Sequence, residues 1–425
     1  MPDIHKYFDI APEALVEEGD GKDPCVPIRA HCREEQQELE QNLEVANKVM
    51  DTSKEGQGFT CGVCLDDKQD SDNTTMETLE LPCGHAFCYQ CIKEVQYSGY
   101  EQGFVGPEQD NLIGLCPLCR KPMMFLDALV GSRVQALMAL AETHTNNKEE
   151  RDRVAGVALK NLDFVLNKEA GSMMPRRMQG EVYLLMEDYD KAIEAFKKAF
   201  NSFRLPLTGY VNPGLLTREQ YEQRMEETRT INRTDPGTEF PSDEELEQTL
   251  VQLVQESTNA LGSETLVTIT TMLLFLAKAY LGQGQGQAMS ALKLVLVLQK
   301  LNEPIAKQFD GCRQVDMTLN TTLAECYLHL GKVATAKQLQ QKLVQKFRYR
   351  AGMHRLLVQC ERKEGNLEKA FFYATKGYLY EEAWNEHVTR AKNLQLWNEI
   401  RGELQESSST AAVADTTEAQ EEWSD

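Results

Sequence analysis

The feature that most constrains this chain is a run of metal-ligand residue types between positions 61 and 119. Cys61-x-x-Cys64 is followed after 18 residues by Cys83-x-His85-x-x-Cys88-x-x-Cys91, and after 24 more by Cys116-x-x-Cys119. Seven of the chain's 12 cysteines lie in this stretch. Clustering at a short C-x-x-C rhythm points to metal before disulfides in a reducing compartment. A C-x-x-C turn brings two thiolates to one ion, and zinc takes four such ligands in a tetrahedron. Eight ligands therefore make two closed structural sites. Neither leaves a position for water or substrate, so the metal is expected to fold the chain and not to catalyse. The remaining cysteines, Cys25, Cys32, Cys312, Cys326 and Cys360, have no paired spacing and read as buried or tail thiols.

The order of these ligands, three cysteines, a histidine and four cysteines, resembles the RING finger family. The resemblance implies two interleaved sites. Cys61, Cys64, Cys88 and Cys91 would bind one zinc, and Cys83, His85, Cys116 and Cys119 the other. Such a cross-brace ties distant segments together where a core is too small to do so. The stretch Leu81-Pro82-Cys83-Gly84-His85-Ala86-Phe87-Cys88 is similar to the family's central stretch, with Phe87 expected inside the small core. By the same resemblance, Val63 in the first knuckle, Ile92 after the sixth ligand and Pro117 in the last knuckle would bind a ubiquitin-conjugating enzyme.

Arg120 directly follows the last ligand, where active RING ligases place a basic linchpin. A RING finger has no nucleophile. It acts by restraining conjugating-enzyme-bound ubiquitin so that a lysine attacks the thioester, which is catalysis by orientation. A guanidinium suits this because its planar fork bonds two partners at once. Between Ile92 and Leu115, Gly99, Gly103, Gly106 and Pro107 predict that the central helix ends near Gln96.

From about Met174 to Ile400 the text is almost wholly helical. Met178-Gln-Gly180-Glu-Val-Tyr183 followed by Asp188-Tyr189-Asp-Lys-Ala192-Ile-Glu-Ala-Phe196-Lys-Lys-Ala199 resembles a tetratricopeptide repeat. Gly180, Ala192 and Ala199 would let two antiparallel helices approach, with Tyr183 and Phe196 between them. Ala324, Tyr327, Gly331 and Ala336 repeat the pattern, and Gly331 to Gly365 and Ala336 to Ala370 are each 34 residues apart. Ala277, Tyr280 and Gly284 mirror the same set at a constant offset of 47. Repeats of this kind stack into a solenoid whose concave face binds peptides.

Composition fits folded domains with polar tails. The formal net charge of -21 repels nucleic acid, and the one modest basic cluster (Arg348, Arg350, Arg355, Arg362 and Lys363) reads as solvated helix surface. The opening stretch MPDIHKYFDIAPEALVEEGDG is polar and acidic, unlike a leader. The most apolar run, Leu266 to Leu281, contains threonines and Lys278 and reads as a buried helix, not a membrane span. An intracellular protein, cytoplasmic or nuclear, is expected.

The expected architecture is multidomain: a small zinc-stabilised cross-brace RING domain of α+β type, then an all-α tetratricopeptide-like solenoid. Residues 1–58 form a polar N-terminal segment with a short helix or partly ordered lead-in at 33–52. The RING follows at 59–125, a helical linker at 126–150, and repeats at 151–400 with a loop-rich insertion at 205–242. An acidic disordered tail fills 401–425. The expected function is a RING-type ubiquitin-protein ligase carrying two structural zinc ions. It would bind a conjugating enzyme and ubiquitin, recruit a protein or peptide ligand on its repeats, and use neither nucleic acid nor membrane. The alternative is a non-catalytic zinc-binding scaffold or adaptor, a role in which such modules often act as homodimers.

Overall fold

The computed structural model describes residues 41–47, 50, 59–61, 63–64, 67–68, 78–81, 83–101, 112–120, 122–124, 126–144, 147–204, 236–256, 260–308, 313–346, 352–384 and 395–406. They fall into two compact units divided at Leu319 and Asn320. Most of the expected insertion at 205–242, the tail beyond 406, and Cys25, Cys32 and Cys312 lie outside the described residues.

In the first unit the cysteine-rich segment forms three small antiparallel hairpins and one helix. β1 (Phe59–Thr60) pairs with β2 (Asp67–Lys68), β3 (Thr78–Glu80) with β4 (Ala86–Cys88), and β5 (Leu112–Leu115) with β6 (Pro122–Met124). Helix α2 (Tyr89–Glu101) leaves directly from β4. It runs past Gln96 and through Gly99, because one glycine in a helix interior costs only about 1 kcal/mol.

Helices α3 (Leu126–Thr143) and α4 (Lys148–Leu166) follow. Asn147 caps α4 by accepting the Glu150 N–H at 3.1 Å, with Glu149 and Glu150 favourably placed in its first turn. The stretch expected as a linker at 126–150 is instead part of the core. Val130, Val134, Leu137 and Ala141 of α3 and Val154, Ala158, Leu162 and Val165 of α4 are buried in one continuous cluster. That cluster also holds Leu79, Leu81, Phe87 and Ile92 of the cysteine-rich segment. Its apolar surface is too large to be left facing water along a flexible connection. A further helix, α1 at 41–47, contributes buried Ala46 to it.

Helices α5 (Met173–Leu185) and α6 (Tyr189–Arg204) form an antiparallel hairpin. Ala192, Phe196 and Ala199 are buried on one face of α6. Gly180 makes the close approach possible, since a Cβ there would lie 2.6 Å from the Phe196 ring. Tyr183 is only half-buried, with the Lys191 ammonium 5.5 Å from its ring centre. Ser242 and Glu245 form a reciprocal capping box that starts α7 (Asp243–Glu256). Helix α8 (Ala260–Gly282) lays Phe275 against Phe196, ring centres 6.2 Å apart. It packs on α9 (Ala288–Gln308) across Gly284 and a short 3-10 turn, Gln285–Gln287. Among the described residues no helix is long and apolar enough to cross a membrane.

The second unit takes in the end of α10 (Arg313–His329), then α11 (Val333–Lys346), α12 (Gly352–Lys363) and α13 (Leu367–Trp384). Two of its joints repeat one geometry. Gly331 and Gly365 both sit at φ +75°, the left-handed conformation that glycine adopts without steric cost. Lys332 N–H donates to the Tyr327 carbonyl and Asn366 N–H to that of Glu361, at 2.8 and 2.9 Å. In the first unit, Glu187 (φ +63°) and the 2.9 Å bond from Asp188 N–H to the Tyr183 carbonyl build the same joint between α5 and α6.

A last helix, α14, spans 395–406, so the segment expected to be disordered from 401 begins as a helix. Packing explains it. Ile400 is buried against Val358, Ala370 and Ala374, and Trp397 Nε1 donates to Thr375 Oγ1 at 3.1 Å.

Candidate metal centre

Each hairpin of the cysteine-rich segment exists to aim ligands. Cys61 and Cys64 lie between β1 and β2, and Cys88 and Cys91 at the end of β4 and the first turn of α2. Cys83 and His85 lie in the β3–β4 turn, where Gly84 takes φ +83° and its N–H donates to the Leu81 carbonyl at 2.8 Å. Cys116 and Cys119 lie in the β5–β6 turn.

These elements bring the ligands together as two foursomes: Cys61, Cys64, Cys88 and Cys91, and Cys83, His85, Cys116 and Cys119. Within each, the donor atoms all lie within 4.8 Å of one another. The pairing is interleaved along the chain. A tetrahedral zinc with bonds of about 2.3 Å to sulfur and about 2.05 Å to nitrogen sets sulfur–sulfur edges near 3.8 Å and sulfur–nitrogen edges near 3.6 Å. Cys64 Sγ and Cys88 Sγ are 3.9 Å apart. His85 Nδ1 lies 3.4 Å from Cys83 Sγ and 3.7 Å from Cys116 Sγ. The residues therefore fit two zinc ions, one held by four sulfurs and one by three sulfurs and Nδ1 of the imidazole. With every donor position taken by protein, the chemistry each ion supplies is structural.

The electrostatics favour a dication. Burial pushes the Cys61 thiol up, but the backbone N–H groups of Cys88, Cys64 and Val63 outweigh it and hold the group at about 6. Cys91 is pushed well above the ordinary thiol range by burial, then by the neighbouring sulfurs of Cys88, Cys64 and Cys61. A divalent cation among these sulfurs would stabilise their thiolate forms and displace protons.

Around the metal frame, the side chains divide into packed and solvent-facing. Phe87 is buried as expected. Ile92, expected as a partner contact, is only 2% exposed and packs in the core cluster with Phe87. Val63 is 40% exposed on the first knuckle, and Pro117 is half-buried on the last. Leu118, not singled out from the sequence, is 54% exposed. The signal was there, since Leu118 and Val63 both stand immediately before the second cysteine of a knuckle. Arg120 is exposed and left-handed, φ +59°, with its N–H donating to the Cys116 carbonyl at 2.9 Å to close the knuckle. A non-glycine residue in that conformation costs on the order of 1 kcal/mol or more.

Residues 59–120 match the family model of the Ring finger domain. The segment is a RING domain whose two Cys/His clusters fit two zinc ions, and a mostly helical region follows it. No curated protein matches the chain.

Proposed function

We propose that this protein is a RING-type ubiquitin-protein ligase. Its RING would dock a ubiquitin-loaded conjugating enzyme, and its helices would recruit the protein or peptide to be modified. The observation that carries the reading is the outer face of the zinc frame. Val63 and Leu118 hold apolar side chains in water on two knuckles that bound zinc would make rigid. An apolar side chain fixed in solvent is a ready anchor for a partner. Arg120 supplies the second support. An arginine kept in a strained backbone conformation at a turn, where glycine would be cheaper, suggests a use for its side chain. Its guanidinium would bridge enzyme and ubiquitin, restraining the thioester for attack by a lysine.

The helical region is read as tetratricopeptide-like. The close Gly180–Phe196 approach, the buried Ala192 and Ala199, and the recurrent left-handed joints at 187, 331 and 365 support this. Such repeats bind extended segments along one face.

The test is ubiquitin transfer by the full chain with a panel of conjugating enzymes. Arg120→Ala is expected to lower transfer on the order of tenfold while two zinc ions per chain and the thermal midpoint are kept. Unchanged transfer removes Arg120 from the mechanism. No transfer by the wild type with any enzyme of the panel favours a zinc-binding scaffold instead.

A further inference from the structure

The face of the RING that carries Tyr89 is not free. Tyr89 opens α2 and is only 2% exposed, and what covers it lies outside the zinc frame. Its ring meets Phe164 of α4 edge-on, centroids 5.5 Å apart at 86°. Lys168, just past the end of α4, places its ammonium 4.4 Å from the Phe164 ring centre and 5.3 Å from that of Tyr89. One turn along α2 from Tyr89, Lys93 pairs with Glu169, and both side chains are largely shielded from water. Tyr89 and Lys93 are four apart and so share one face of α2, while on the other side Phe164 lies in the last turn of α4 and Lys168 and Glu169 just beyond its end. The apolar cluster runs without a break from Phe87 and Ile92 through α3 and α4 to Met178 and Val182 of α5. Val63 and Leu118 stay in solvent, so this docking leaves the knuckle tips open.

We infer that Tyr89, Lys93, Phe164, Lys168 and Glu169 are positioning residues that lock the RING onto the α4–α5 layer and so fix the direction in which it delivers ubiquitin. This rests on the ligase reading and deepens it. An edge-on aromatic pair fixes an angle, and a shielded ion pair fixes a register. None of the five is among the eight metal-ligand candidates, and they lie apart from the exposed knuckle residues Val63 and Leu118. Their effect is on which acceptor lysines come within reach, because small misplacements of a reacting group are costly in rate.

The lock predicts a split between two readouts of the full chain. One is discharge of conjugating-enzyme-bound ubiquitin onto free lysine, which depends only on the RING. The other is the set of the chain's own lysines that become modified, mapped by mass spectrometry. Phe164→Ala and, as a variant that opens no cavity, Glu169→Lys are expected to keep both zinc ions and the free-lysine rate. They are expected to spread self-modification, cutting the share on the wild type's preferred lysines by roughly half or more. Hydrogen exchange should rise at 89–95 and 162–168 in both variants. The charge-swapped Lys93→Glu/Glu169→Lys protein should restore the site pattern and the protection. Variants that leave the site pattern and exchange at wild-type levels overturn the lock, as does a swap that restores neither. If the wild type discharges nothing onto free lysine, the ligase reading fails, while the exchange data still decide whether the lock exists.

Discussion

Cys88→Ser is expected to remove a zinc ion and unfold the RING. Cys88 lies at the hinge of the module. It ends β4, where it pairs with Thr78, its N–H donates to Cys61 Sγ at 3.5 Å, and its own sulfur belongs to the four-sulfur foursome. A serine hydroxyl is a hard, weakly acidic donor that does not replace a thiolate on zinc. A structural zinc site contributes on the order of 10 kcal/mol of apparent folding free energy, comparable to the whole stability of a domain. The damage should extend into α3, because Val134 and Leu137 share a core with Phe87. Metal analysis should find at most one zinc per chain, and amides across 83–95 and 129–141 should lose protection. Leu118→Ala, an exposed non-ligand beside Cys119, should change neither. Two zinc ions and native protection in Cys88→Ser would contradict the assigned foursome.

Lys337→Met is expected to destabilise the second unit by about 3 kcal/mol or more. Glu361 of α12 is 1% exposed, and Lys337 of α11 reaches it at 2.8 Å and Glu364 at 2.5 Å. Asn366 Nδ2 donates to the other Glu361 oxygen at 3.2 Å. Removing the lysine strands a buried carboxylate, the costly half of a broken ion pair. Burial works against the Lys337 ammonium, but its bonds to Glu361 and Glu364 outweigh this and raise it above the ordinary lysine range. Its folded value being raised, its contribution is full below the unfolded lysine range near 10.4 and is lost as pH climbs through the folded value. Chemical denaturation at neutral pH checks the size. Lys337→Met/Glu361→Gln should recover most of the loss, and a single variant within about 0.5 kcal/mol of wild type would show the pair to be dispensable.

How much of this was legible in the sequence depends on how local the cause is. Tetrahedral coordination imposes spacing, so Cys61 to Cys119 announced two sites before any fold was known. Close helix approach imposes small residues, so Gly180, Ala192 and Ala199 stood out. A left-handed joint favours glycine, so the 34-residue step from Gly331 to Gly365 was visible. Glu187 builds the same joint with no such residue signal.

What escaped were contacts between segments far apart in sequence. The burial of Ile92 is one example, since adjacency to a ligand says nothing of helical phase. The packing of 126–150 is another, since α3 mixes Asp127, Ser132, Arg133, Gln135 and Glu142 among its apolar residues and gives only a weak stripe, so its burial is decided by its neighbours in the fold. Tyr89, Phe164 and Glu169 carry no local pattern that pairs them. Helix was expected as far as Ile400, and its continuation to 406 follows the anchoring of Trp397 and Ile400 on the α12–α13 hairpin, a tertiary cause that overrides the polar text beyond.

Zinc-edge X-ray absorption on the full chain, with metal content measured on the same sample, reads the two foursomes directly. Two zinc ions per chain are expected, sharing seven sulfurs and one nitrogen at about 2.3 and 2.0–2.1 Å, with no water oxygen in the shell. A single zinc per chain, or an oxygen-rich shell with an open position, would contradict the two foursomes.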